Sequence, residues 1–260
     1  MSVDLPLDRL PRYQTLVYPQ WVKALIDGNT PAGVKGRRFV ILESRYTGFS
    51  TSQPGKTESG AVHIPGAVVV HPCYFESGTD TSRYYPKYTT PDDGNLLPDD
   101  KLQAAVAALG ITHDTTVVVY GNGKIIPMTS ARVGWALLYA GVEDVRILNG
   151  GMTAWKAAGF PVAKTAAPWK AAAAFGTGIP VRSDLLATTN YVRGIVKGDR
   201  SGSVLVDVRK KEEYDGNACP YPFFDKKGHI PGAVWNDDYW VLVDKIDDTW
   251  RKINHFVPLR

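Results

Sequence analysis

Two hydrophobic periods alternate along this chain. Trp21, Val22, Leu25 and Ile26 recur at helical spacing after Pro19 and stop at Gly28 and Pro31, which predicts a short helix. Residues 38–42 read as a buried strand, and 67–70 as another after the Pro65-Gly66 turn. A polar, Pro-containing excursion over 72–98 follows. Asp99-Asp100 then predicts a capped helix through Leu102, Val106 and Leu109, ended by Gly110. The unbroken run 115–120 has the pattern of a central parallel strand, covered on both faces. After it come a loop over 121–129, a helix over 130–139 stopped by Gly141, a strand at 145–148 and a helix over 152–158. Such alternation with short connections predicts an α/β fold, a parallel sheet of about five strands with helices on both faces.

The same phrase then returns. Val40-Ile-Leu-Glu-Ser-Arg45 precedes His63-Ile-Pro-Gly-Ala67, and Val204-Leu-Val-Asp-Val-Arg209 precedes His229-Ile-Pro-Gly-Ala233. The two phrases lie roughly 165 residues apart, too far for a solenoid unit and right for a duplicated domain. The expected organisation is an N-terminal extension (1–17), a first domain (18–162), an Ala-rich linker (163–180) and a second domain (181–260). The second domain opens with a helix over 183–195 and a strand over 204–208. In each phrase Pro fixes φ and the following Gly permits a sharp turn. Asp207 and Arg209 alternate along one strand, so both face the same side and can brace the next loop, with Glu213 as an ion-pair partner.

Composition narrows the function. A net charge of +4 spread over 260 residues offers no dense basic surface for nucleic acid or an anionic membrane, and a small anion is the strongest partner it supports. No apolar run reaches the length of a membrane span, and the N-terminus lacks the pattern of a secretory leader. Cys73 and Cys219 stand at non-equivalent places, which is no disulfide framework. A reducing cytoplasm is the default, and a mature periplasmic chain would look the same.

Four pieces in fixed order carry a resemblance. They are Val-Leu-Val-Asp-Val-Arg209 with Glu213-Tyr214 behind it; Gly228-His-Ile-Pro-Gly-Ala233; Val117-Val-Val-Tyr120 leading into Ala131-Arg132-Val-Gly-Trp135; and Leu148-Asn-Gly-Gly151 with Trp155 and Gly159-Phe-Pro161. Together they resemble the tandem rhodanese family, the thiosulfate and 3-mercaptopyruvate sulfurtransferases. The resemblance implies a duplicated rhodanese-like fold. It also implies transfer of sulfane sulfur from a small anionic donor to a thiol or cyanide-like acceptor through a cysteine persulfide, without a cofactor.

Family chemistry needs that cysteine in the loop after the strand at 117–120, where inward-pointing N–H groups and a helix N-terminus stabilise a persulfide anion. Here the position is Gly121, and no cysteine occurs through Ser130, so the resemblance implies a non-catalytic first domain. The counterpart in the second copy would fall past Arg260. The expectation is therefore a second domain truncated before its catalytic loop, inactive by itself and completed by a missing C-terminal segment or a second chain. Half a domain would expose an apolar face, with Trp235, Trp240 and Trp250 as candidate packing anchors. The alternative is a non-catalytic rhodanese-like scaffold or regulatory module that binds a protein partner.

Remaining candidates are weighed on chemistry. Arg209, Lys210 and Lys211 are the candidate donor-binding cations, although Glu213 stands where an Arg often helps hold the anion. Cys219 is a weak nucleophile candidate on an inserted loop near Lys226 and Lys227, and Cys73 reads as a partly buried thiol. Arg45, His63, Asp207, Glu213 and His229 read as structural motif residues. Gly121-Asn-Gly-Lys124 lacks Walker spacing, leaving only a backbone oxyanion cradle in reach. No residue grouping suggests a metal site, and no Cys-x5-Arg phosphatase motif occurs.

Overall fold

A computed structural model describes residues 16–31, 34, 38–45, 60–77, 79–80, 85–86, 94–122, 126–219, 226–236, 243–244 and 255–256. Trp240, Trp250, Gly123 and Lys124 lie outside the described residues.

The first half builds a five-stranded parallel sheet. Its strands are β1 (Leu16–Val17), β2 (Arg38–Arg45), β3 (Val68–Val70), β6 (Thr115–Asn122) and β7 (Asp144–Leu148). They lie in the order β1-β7-β6-β2-β3, with every pairing parallel. Two-residue strands β4 (Thr79–Asp80) and β5 (Tyr85–Pro86) pair separately within the excursion. As the pattern predicts, β6 is the middle strand. Its side chains divide by parity, Val117 and Val119 facing one way and Val118 and Tyr120 the other.

Each face has its own helices. On the Val117 side, α2 (Asp99–Ala108) and α3 (Ile126–Ala140) supply Leu102, Val106, Val133 and Leu137. On the Val118 side, α1 (Pro19–Ile26) and α4 (Gly151–Ala157) supply Trp21, Val22, Met152 and Trp155. Several boundaries differ from the sequence expectation. Pro98 is the N-cap of α2, so Asp99 and Asp100 occupy its first turn, where their charges suit the helix dipole without capping it. Both ends of the predicted loop over 121–129 belong to regular elements, because β6 runs on to Asn122 and α3 starts at Ile126. Pro127 sits in the first turn of α3, where its missing N–H costs nothing.

Residues 163–185 form no long element, yet they are bound to the first half along their length. Ala163 exchanges both backbone hydrogen bonds with His63 at 2.8 and 2.9 Å, and Ala167 N–H donates to Ala67 O at 2.8 Å. Trp169 Nε1–H reaches Val69 O, Phe175 enters the core beside α2 and α3, and Trp135 Nε1–H reaches Leu185 O. Gly110, at φ +80°, makes room for this strap: a Cβ there would lie 2.6 Å from Lys170 O.

The second copy begins with α5 (Thr189–Lys197), capped by the Thr188 side chain and ended by left-handed Gly198. The helix predicted over 183–195 is thus split, with a single 3-10 turn at Ser183–Leu185 preceding it. Strand β8 (Val206–Asp207), helix α6 (Lys211–Tyr214) and strand β9 (Val234–Trp235) follow, β8 and β9 being parallel. Strands β10 (Val243–Asp244) and β11 (His255–Phe256) pair antiparallel.

Candidate functional site

At the C-terminal end of β2 the first copy buries a charge. Glu43 is 0% exposed, and each of its carboxylate oxygens accepts more than one hydrogen bond. Arg45 Nε–H donates to Oε1 at 2.5 Å and Asn122 Nδ2–H to the same oxygen at 3.1 Å. His63 Nδ1–H donates to Oε2 at 2.8 Å, joined there by the Tyr120 hydroxyl. Tyr120 in turn accepts the Ile64 N–H at 3.1 Å, and Asn122 also donates to Val62 O. One carboxylate thereby ties β2 and β6 to the His-Ile-Pro-Gly turn.

The titration follows from this geometry. Burial pushes the Glu43 carboxyl up, but the His63 hydrogen bond, the Arg45 charge and the Tyr120 hydroxyl outweigh it and hold the group below its ordinary value. Burial, followed by the Glu43 charge, drives Tyr120 well above the usual phenol range, so it remains a donor. Gly121 is buried in β6 opposite Ser44 and has no side chain to offer.

In the second copy the motif is rebuilt from shorter parts. Arg209 forks onto Asp207, Nη2 lying 2.6 Å from Oδ2, and also donates to Gly228 O at 2.7 Å, which braces the turn as the alternation predicts. Hydrogen bonds from Arg209 hold the Asp207 carboxyl low. The ion-pair partner is Asp207 rather than Glu213, whose charge reaches Arg209 only at longer range. His229 stacks on Tyr214 at 3.8 Å between centroids and hydrogen-bonds Tyr214 O. Trp235 packs within its own copy, its Nε1–H donating to Arg209 O.

Of the three candidate anion-binding cations, Arg209 is therefore committed to the motif and Lys211 to Asp215. The Lys210 side chain is exposed and has no hydrogen-bond or ion partner among the described residues. Cys219 is half-buried and close enough to Arg209 to act on it electrostatically, whereas Cys73 is buried in the first copy. Sequence reasoning singles out Arg45 and His63 but misses Tyr120 and Asn122 as members of the Glu43 cluster. The signal available was the acidic residue recurring at the same place in both phrases. No group of three or more potential metal ligands occurs among the described residues, nor does any helix there have the length and apolarity to cross a membrane.

The two copies share one register. Leu42 and Glu43 pair with Val68 and Val69, and Val206 and Asp207 pair with Val234 and Trp235, the same positions of each phrase. They differ on the other edge. β2 is laddered to β6 over eight residues, while β8 has no strand on that side among the described residues.

Comparison with known proteins matches residues 19–158 to the rhodanese-like domain family. The chain is 33% identical over 237 residues to thiosulfate sulfurtransferase YnjE of Escherichia coli, covering 90% of this chain and 48% of YnjE. It is 30% identical over 223 residues to thiosulfate sulfurtransferase of Rattus norvegicus, covering 85% of this chain and 68% of that one. Among solved structures, wild-type EanB aligns with a TM-score of 0.72 at 31% identity, over 89% of this chain and 52% of EanB. A variant of EanB solved with ergothioneine covalently linked to a persulfide aligns at 0.73 and 30%, over 89% and 52%. This chain thus spans about half the length of YnjE and EanB.

Proposed function

We propose, from the premise that this chain belongs to the rhodanese-like domain family, that it provides the non-catalytic first domain and the opening of the second domain of a tandem sulfurtransferase. In this reading, residues 18–162, with β1 added at the edge of their sheet and the 163–180 strap seated on them, are a scaffold domain, and 181 onward begin the catalytic unit. The observation that carries it is the shared register with opposite burial. Leu42 is 0% exposed under α3, whereas Val204, Val206 and Val208 of the second phrase are 73%, 50% and 58% exposed. An apolar strand with an open edge is costly in water. The first copy shows what covers such a strand: a valine-rich parallel strand followed by a helix, the β6–α3 unit.

A segment of that kind, carrying a cysteine where the first copy has Gly121, would complete the sheet and bring the nucleophile. Its thiolate would attack the sulfane sulfur of a small anionic donor, the donor's bond to that sulfur breaking with the electron pair leaving on the donor. A thiol or cyanide-like acceptor then attacks the outer sulfur of the persulfide and releases the thiolate. Names of relatives such as YnjE support thiosulfate as a donor. The Glu213 charge, which reaches Arg209, disfavours an anion there and leaves Lys210 as the member of the three-cation group whose side chain has no partner among the described residues. Two cysteines without a disulfide suit a reducing cytoplasm.

The test is a thiosulfate–cyanide assay on the 260-residue chain beside its Cys219→Ser variant. Equal, background-level turnover is expected. Turnover that depends on Cys219 would move the active site to the inserted loop and overturn this reading.

A further inference from the structure

The ladder between β2 and β3 is shorter than β2 itself. Pairing on that side begins at Leu42 with Val68, whereas β2 begins at Arg38, so four residues of its edge carry no strand there among the described residues. A concavity of about 460 Å³ lies against this stretch, closed by the Pro65-Gly66 turn, the end of α2 at Leu109 and the strap at Pro168 and Lys170. It sits at the start of β2, whereas the Glu43 cluster and Gly121 occupy its other end.

The lining has a clear chemical bias. Apolar side chains from both faces of the sheet meet at this edge as its floor, Ile26 and Ile41 from the α1 side and Val40, Val68 and Leu109 from the α2 side, and Phe39 stands half-exposed beside them. The only charged side chains lining it among the described residues are two cations, Arg38 and Lys170, both exposed and therefore at the rim. Neither makes an ion pair among the described residues, although the Thr112 hydroxyl links Arg38 to Asp114. Arg38 donates only to the hydroxyls of Thr115 and Thr112, at 3.3 and 3.2 Å, and Lys170 makes no ion pair or hydrogen bond among the described residues. An apolar body is favoured by the floor, and a negative head by the cationic rim.

We propose that this concavity is a binding site for a small amphipathic carboxylate, its chain against Ile26, Phe39 and Val40 and its head between Arg38 and Lys170. The unladdered edge of β2 adds backbone N–H groups that a carboxylate oxygen can accept from. Because the strap supplies one wall and one cation, occupancy would stiffen the connection between the two copies.

Octanoate, 1-octanol and octylamine are the probes, titrated into the full 260-residue chain by calorimetry and by amide chemical-shift mapping. Octanoate is expected to bind with a dissociation constant on the order of 0.1–1 mM. It should shift the amides of 39–41 and 66–68, with octanol about tenfold weaker and octylamine weaker still. Lys170→Gln and Arg38→Gln should each weaken octanoate about three- to fivefold and leave octanol unchanged. Equal affinity for all three probes, insensitivity to both substitutions, shifts confined to 204–208, or no binding of octanoate would each overturn the proposal.

Discussion

The two copies of one motif occupy opposite environments, and their side chains differ accordingly. In the first, Glu43 and His63 are both 0% exposed, and the longer acidic side chain reaches Tyr120 and Asn122 on the neighbouring strand. In the second, the Asp207 side chain hydrogen-bonds Arg209 just beyond its own strand, and His229 stacks in the open on Tyr214. The helices tell the same story: α1 buries Trp21, Val22 and Leu25, while α5 buries nothing among its nine residues. Among the described residues the motif thus keeps its register on two strands in the second copy, whereas its burial in the first comes with a third strand and its helix.

The largest effect expected is at Glu43. Glu43→Ala leaves Arg45 buried without its partner and should cost about 3–5 kcal/mol, read as a lower urea midpoint of the first domain. Asp207→Ala, at an exposed pair, should cost about 1 kcal/mol or less. Equal losses would erase the contrast. Phe175→Ala, which empties a core position filled from the strap, should cost about 3–5 kcal/mol. A negligible loss would show that the strap is only loosely seated.

Acid should separate the copies next. Burial lowers His71 to about 4, well under its ordinary 6.5, and its Nδ1 accepts the Cys73 N–H. A group depressed in the folded state contributes fully above its unfolded value and loses that contribution as pH falls toward the folded one. His71 should thus remove up to about 3 kcal/mol between pH 6.5 and 4. Glu43, also depressed, adds a further loss as pH falls below its ordinary 4.5. Urea midpoints taken at successive pH values should drop in both windows for the first domain. His71→Asn should flatten the upper one, and an unchanged upper slope in that variant would refute the assignment.

Much of the first domain was legible because its signals are local: the valine run of β6, the helical spacing of α1, and Gly at helix ends. What escaped depends on long-range partners. β1 is two residues in a Pro-rich stretch and exists through its pairing with β7. β2 reads as ending at Leu42 because Glu43 and Arg45 look like surface residues, and only the partners on β6 and the turn make their burial tolerable. The Ala-rich strap reads as a spacer since its anchors, Trp169 and Phe175, seat on elements about 60 to 100 residues away. At the candidate site, the absence of a cysteine from 121–130 is plain in the sequence, whereas the commitment of Arg209 to Asp207 and Gly228 emerges only from geometry.

The account turns on whether the outer edge of β8 is open while the equivalent edge of β2 is closed. Hydrogen exchange on the monomeric 260-residue chain compares the two within one sample. Amides of 40–44 should exchange only with global unfolding, and those of 204–208 not engaged with β9 should exchange orders of magnitude faster. Equal, strong protection of both stretches in a strictly monomeric sample would contradict it.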